Sequence, residues 1–297
     1  MRFELSGSLV HPNPLVIVYD ITQSDSDPHF DTQKYIDMGY THFDVICIGG
    51  GGGAGGGIDT NNTGTLVRNY GGAGGGGGFH RTLGLLSALA LDCPIVIGDG
   101  GAVGTNHVSD PNLTTDGGDG EPSSFNDTTC RASGGKGGKR AKTNSTSVTT
   151  QADGGEGGRG DRIIAGGGAA GGVAGIGPQP PDSATPATPG EDGTLFQNIG
   201  EGGGGGSGGI GKYPTGQVYM KGTAGGRGAY NPGDTSVYGP GSDPGDDAAS
   251  ASKTIVPGGA SGAKASPVNG LPTVYGQSKS GHFPGDPGVV IIRLTAQ

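Results

Sequence analysis

The chain has 297 residues, of which 70 are Gly and 20 are Pro; only 31% are apolar and there is no Trp. That composition excludes a conventional large hydrophobic core, since ordinary domains are about 45–50% apolar. The net charge of −9, from 27 acidic and 18 basic residues, argues against a nucleic-acid coat, which needs a basic excess to bind phosphate. Glycine loses the most backbone freedom on folding and has no side chain to bury. Whatever orders this chain must therefore be rich in backbone hydrogen bonds or be supported from outside.

In chain order, RFEL, PLVIVYDI (14–21) and HFDVICI (42–48) read as short β-type runs separated by polar, Asp-rich turns. RTLGLLSALALDCP (81–94) has room for one helical turn around Leu85–Leu89, closed by Asp92 and Pro94. CPIVIGDGGAVG (93–104) is another apolar strand entering glycine, and GVVIIRLTA (288–296) is the last. These divisions suggest an N-terminal β segment over 1–42 and a glycine-rich domain over 43–297.

Between the strands, glycine tracts alternate with polar spacers: 49–57, 71–78, 134–138, 154–160, 166–172, 200–209 and 224–228. Several repeat every three residues with a charged third residue, as in Gly-Gly-Lys-Gly-Gly-Lys. Three residues per turn is the polyproline II repeat, which makes no hydrogen bonds within itself and leaves all its backbone groups for neighbours. Without Cβ atoms such helices can pack closely, adding Cα–H···O contacts. The third positions, Lys136, Lys139, Glu156 and Arg159, should then face solvent. The expected fold is mainly β plus irregular: short antiparallel strands framing a bundle of polyglycine II helices, with almost no α-helix. On this reading Ala or Val within 202–206 blocks packing. Collagen is excluded because the G-X-Y phase breaks every few residues. Disorder is the rival for any Gly/Ser-rich segment, but a linker has no use for aliphatic strands at 43–48, 94–98 and 288–294.

FDVICIGGGGGAGGG (43–57) can be read as a strand running into G-x-G-x-x-G. A dinucleotide site needs a helix after that turn, and IDTNNTGTLVRNY offers none. The Walker-like GGSGGIGKY (205–213) has Tyr213 where a Mg²⁺-binding hydroxyl belongs. GGEGGRGDRII (154–164) misses the calcium nonapeptide by one residue. DGGDGE (116–121) and DPGDD (243–247) read as solvated turns before Ca²⁺ sites. The Arg159-Gly160-Asp161 tripeptide is a coincidence of composition, and the basic run RASGGKGGKRAK (131–142) a solvated loop. No histidine stands at metal-ligand spacing and no G-x-S-x-G elbow is present. No enzyme, cofactor or metal is expected. Cys47, Cys93 and Cys130 imply no disulfide framework and favour a reducing cytoplasm. The start does not read as a signal peptide, and no apolar run is long enough for a membrane span.

Tyr213, Tyr219, Tyr230, Tyr238 and Tyr275 occur in the later spacers among Pro, Gly, Asn, Asp and Ser. Aromatic loops on a rigid scaffold are a common means of touching ligands. These five are the candidate receptor-contact residues, with packing as the other reading.

The order FDVICIGGGGGAGGG, GGAGGGGGF, CPIVIGDGGAVG, GGDGEPSSFNDTTCRASGGKGG and PGDPGVVIIRL resembles the glycine-rich domain of tailed-bacteriophage minor tail and tail-fibre proteins. The likeness covers roughly 43–297 and is most specific at its start, at 93–138 and at the C-terminal strand. It implies a virion tail-tip component, assembled in the host cytoplasm, with other tail-tip proteins and a host cell-surface receptor as partners. Tail tips are often three-fold symmetric, so a homotrimer is in keeping with the resemblance; residues 1–42, where the chain departs from the simplest adhesin pattern, read as a tail-attachment segment. The alternatives are a flexible glycine-rich linker or RGG-like nucleic-acid binder and, remotely, a dinucleotide-binding oxidoreductase.

Overall fold

The strands form where aliphatic and aromatic residues alternate or run together, and each delivers the chain to a glycine tract or receives it from one. The computed structural model describes residues 12–20, 28–62, 65–69, 71–105, 107–108, 113–143, 284–285 and 287–296, with short stretches at 149–150, 176–177, 190–191, 193, 195–196, 199–200, 210–213 and 217–220. The first elements are β1 (Leu15–Tyr19), β2 (His29–Asp31), α1 (Thr32–Asp37) and β3 (His42–Ile48). A hairpin of β4 (Ile58–Asn62) and β5 (Thr65–Asn69) follows, then β6 (Phe79–Leu85), a 3-10 turn at Leu86–Ala88 and β7 (Asp92–Val96). Next come β8 (His107–Val108), β9 (Ser123–Phe125), β10 (Cys130–Ala132), β11 (Lys142–Thr143), β12 (Thr149–Thr150) and β13 (Ile176–Gly177). The remaining strands are β14 (Leu195–Phe196), β15 (Ile199–Gly200), β16 (Ile210–Tyr213), β17 (Gln217–Met220) and β18 (Val289–Thr295).

Six strands form one antiparallel sheet in the order β1-β18-β3-β6-β15-β14, and four form a second in the order β10-β9-β7-β2. The C-terminal β18 lies between β1 and β3, with Ile17 opposite Ile292 and Val45 opposite Ile292 on its other edge. Residues on both sides of position 42 thus share this sheet. A core fills the space between the two sheets: Phe30, Tyr40, Phe43, Val45, Cys47, Phe125, Cys130, Val290, Ile292 and Leu294 are buried together. Strand β3 is buried on its other face too, where Ile46 and Ile48 meet Phe79, Val289 and Ile291. Burial on both faces explains why HFDVICI reads as a nearly continuous apolar run.

Helix α1 is short and was not legible as a helix in the sequence. Its local signal is a cap: the Asp31 carboxylate accepts the Lys34 N–H at 3.0 Å. Tyr35 stacks on Phe30 at 4.7 Å between ring centroids, and Phe30 meets Phe125 edge-on at 5.6 Å. The turn expected near Leu85–Leu89 is the 3-10 turn, with Leu86 buried.

Two further sheets lie away from this sandwich. One has the order β17-β16-β5-β4-β8 and the other β11-β12-β13.

Candidate functional site: the glycine lattice and its rims

The first tract (49–57) leaves β3 and runs as the centre of a lattice whose hydrogen bonds repeat every three residues. Gly49, Gly52 and Gly55 donate to the carbonyls of Gly78, Gly75 and Gly72 in the second tract (71–78). Gly50, Gly53 and Gly56 donate to Glu121, Gly118 and Thr115 in the fourth tract (115–121). Its carbonyls accept in turn: Gly51 and Ala54 from Gly101 and Gly104 of the third tract (98–105), and Gly50, Gly53 and Gly56 from Gly135, Gly138 and Ala141 of the fifth (133–141). The outer tracts also bond one another. Gly72, Gly75 and Gly78 donate to Lys139, Lys136 and Ser133, while Gly117 and Gly120 donate to Gly138 and Gly135. Gly285 and Gly288 donate to Gly101 and Gly98 of the third tract, adding a sixth segment. Bonds between chains at every third residue, and none within a chain, are the polyglycine II arrangement.

Close approach is the reason for glycine here. Gly39, with φ +91°, is the only described glycine at positive φ, so the tract glycines hold backbone angles that other residues could adopt. What other residues lack is room. A Cβ on Gly52 would overlap the Lys136 carbonyl, one on Gly53 the Ala102 carbonyl, and one on Gly74 the Gly52 carbonyl. Ala54 and Ala73 occupy phases of the repeat that do accept a methyl, and both are fully buried.

One phase of the fourth and fifth tracts faces outward and carries paired charges. Asp119 accepts the Lys136 ammonium at 2.8 Å and the Gly137 N–H at 2.9 Å. One turn away Asp116 accepts the Lys139 ammonium at 3.2 Å and the Arg140 N–H at 2.8 Å. Partial burial raises both carboxyls, but these N–H and ammonium donors outweigh it and hold Asp116 and Asp119 below the usual carboxylate range. Lys136 and Lys139 face solvent, as the three-residue phase requires. The run 131–142, expected to be a solvated loop, is instead β10 followed by a lattice helix; Arg131, Lys136 and Lys139 are exposed, but the backbone is not free. In DGGDGE the carboxylates of Asp116 and Asp119 take up lysines. Their three-residue spacing, equal to that of Lys136 and Lys139, was the available signal for this ladder.

The strand–glycine junction at 43–57 is not built to hold a pyrophosphate. The next element is the β4–β5 hairpin, and the N–H groups of Gly49, Gly50, Gly52, Gly53, Gly55 and Gly56 are all taken by carbonyls of the chain. Cys47 and Cys130 face each other's strands in the core, the Cys47 thiol donating to the Cys130 carbonyl at 3.3 Å. Burial, reinforced by Cys130, pushes the Cys47 thiol well up, and burial raises Cys93 as well. Neither has the character of a nucleophile. Among the described residues no three His, Cys, Asp or Glu side chains converge as a metal site would require. No described helix is long and apolar enough to cross a membrane.

Two of the five candidate tyrosines lie on neighbouring strands of the five-stranded sheet, Tyr213 on β16 and Tyr219 on β17. Tyr230, Tyr238 and Tyr275 lie outside the described residues, as do the RGD tripeptide, Asp243–Asp247, Glu156, Arg159 and the tracts at 154–160, 166–172 and 224–228.

The lattice has a base and a tip. At one end its segments join the sandwich: β3 to Gly49, Gly78 to β6, β7 to Gly98, Glu121 to β9, β10 to Ser133 and Gly288 to β18. At the other end lie the spacers, including the β4–β5 hairpin and β8. A β-sandwich base carrying a hydrogen-bonded glycine lattice defines a scaffold of glycine-rich type. Residues 30–295 match the family described as "Glycine-rich domain", and the chain belongs to that family. Among curated proteins none matches the chain.

Proposed function

We propose that the protein is a structural component of a bacteriophage tail tip, and that the spacers at the tip of its lattice serve host-surface recognition. The observation that supports this most is the base-and-tip arrangement. Eight residues of polyproline II rise about 25 Å, so the lattice carries β4, β5, β8 and β16 well clear of the sandwich on a support held by backbone hydrogen bonds. Variable polar loops on a rigid frame are suited to binding. The likeness of the ordered motifs at 43–57, 93–138 and 284–294 to phage tail proteins supplies the setting, with other tail-tip proteins docking on the sandwich.

Mass spectrometry and cryo-electron microscopy of purified virions test this reading. This chain should appear in the tail tip with residues 58–69 and 210–220 turned away from the tail. Virions without it sink the proposal. Within a phage that carries it, Tyr213→Ala and Tyr219→Ala should slow adsorption to host cells while particles still assemble. Sedimentation of the purified chain reports whether three copies associate.

A further inference from the structure

Strand β1 is an edge of the six-stranded sheet: β18 pairs with one side of it, and among the described residues nothing pairs with the other. An edge strand turns alternate N–H and C=O groups away from its sheet, and proteins usually guard that row with charges, with Pro or by keeping the strand short. The sandwich guards its other edges in these ways. Strand β14 has two residues, β10 has three with Arg131 exposed among them, and β2 has three with His29 and Asp31 exposed.

Strand β1 has no such guard. Its five residues, LVIVY, include no charge and no Pro, and they pair with β18 without a bulge. Leu15, Ile17 and Tyr19 pack towards the core between the sheets, while Val16 and Val18 pack on the opposite face beside Ile46 and Ile291. All five are only half-buried. Apolar residues on both faces are the pattern of β3 and β18, each of which has a strand on either side. Strand β1 thus carries the sequence of an interior strand at an edge position.

We infer that the second neighbour of β1 is β1 of another copy of this chain, joined across a two-fold axis at Ile17 into one continuous antiparallel sheet. A two-fold contact must be self-complementary, and LVIVY is nearly symmetric about its centre. Ile17 meets Ile17 of the second copy, Val16 meets Val18, and Leu15 meets Tyr19. Such β-branched and aliphatic–aromatic pairs are favourable across antiparallel strands. The faces also agree, since Leu15, Ile17 and Tyr19 of both copies fall on one side of the joined sheet. The flanking residues fix the register. A slip of one residue sets Ile17 opposite Val18 and turns one copy's core side to the other's outer side. A slip of two sets Val16 opposite Asp20, or Val18 opposite Pro14, which has no N–H to offer.

This pairing stands apart from the tail-tip reading, and the purified full chain tests it. Sedimentation from about 1 μM to about 1 mM, a span that reveals even weak association, should pass from the mass of one chain to that of two. Val18→Lys, which sets an ammonium against Val16 of the second copy, should keep the one-chain mass over the same range and still melt cooperatively. One-chain mass for the wild type throughout, a species of three chains in place of two, or a dimer that Val18→Lys leaves intact overturns the inference. Disulfide trapping reads the register and does not depend on that variant folding. Under mild oxidation Ile17→Cys should cross-link to itself, because directly opposed residues of an antiparallel pair lie within disulfide reach. Val16→Cys should cross-link with Val18→Cys more readily than with itself. No Ile17→Cys dimer, or equal cross-linking of Val16→Cys alone and in the mixture, overturns the inference.

Discussion

A single methyl group decides much of this molecule's stability. Gly53 lies with its α-carbon against the Ala102 carbonyl, so Gly53→Ala forces two backbones apart and should cost about 1–3 kcal/mol, measured by chemical denaturation. The adjacent residue is already alanine and fully buried, so the penalty follows phase and not depth. The sequence revealed the period of three and the outward lysines, because both are local. It did not reveal which carboxylates meet them, because Asp116 and Asp119 belong to another tract and pairing across tracts depends on register. That ladder has an acid signature. Both carboxyls titrate below their unfolded values, so their contribution is complete above the ordinary Asp pKa and vanishes as pH falls through the lowered folded value. Exposed pairs of this kind contribute about 0.2–1 kcal/mol each. The melting difference between wild type and an Asp116→Asn, Asp119→Asn double variant should therefore close between about pH 5 and pH 2.

Elements here divide into two kinds with different physics. The strands were legible because burial on both faces leaves apolar runs, as in β3 and β18. Helix α1 was not, because six residues give no amphipathic period and the ring that Tyr35 stacks on, Phe30, comes from a strand. On the second face of the six-stranded sheet, Asp44 holds Arg81 through two 2.7 Å hydrogen bonds, with both side chains largely buried. Arg293 lies 3.9 Å from the same carboxylate. Asp44→Ala removes this bidentate acceptor from Arg81, and a loss of about 1.5–3 kcal/mol is expected by denaturant titration. A loss below about 1 kcal/mol would mean that water already screens the pair. The lattice, by contrast, carries few side chains beyond its outward Asp–Lys pairs and buried alanines, and is held chiefly by amide hydrogen bonds of 2.7–3.3 Å.

At the scale of the whole molecule, among the described residues, one glycine helix at the centre of the lattice bonds to four other segments, and strand β18 closes the sheet that the early strands begin. Residues 49–56 bond to segments as distant in sequence as the fifth tract, and β18 pairs with both β1 and β3. Contacts so far apart make folding slow and cooperative. They also fix what can change in length. A flexible loop can gain or lose a residue with little effect, since loop closure depends weakly on length. A tract cannot: one glycine inserted within 49–57 moves every residue beyond it to the wrong phase, setting side chains where carbonyls stand. Inserting Gly after Gly52 should abolish folding, read as loss of the cooperative thermal transition. The tracts can lengthen only together and only by whole turns, so variation in this scaffold is quantised along its shaft and continuous at its tip.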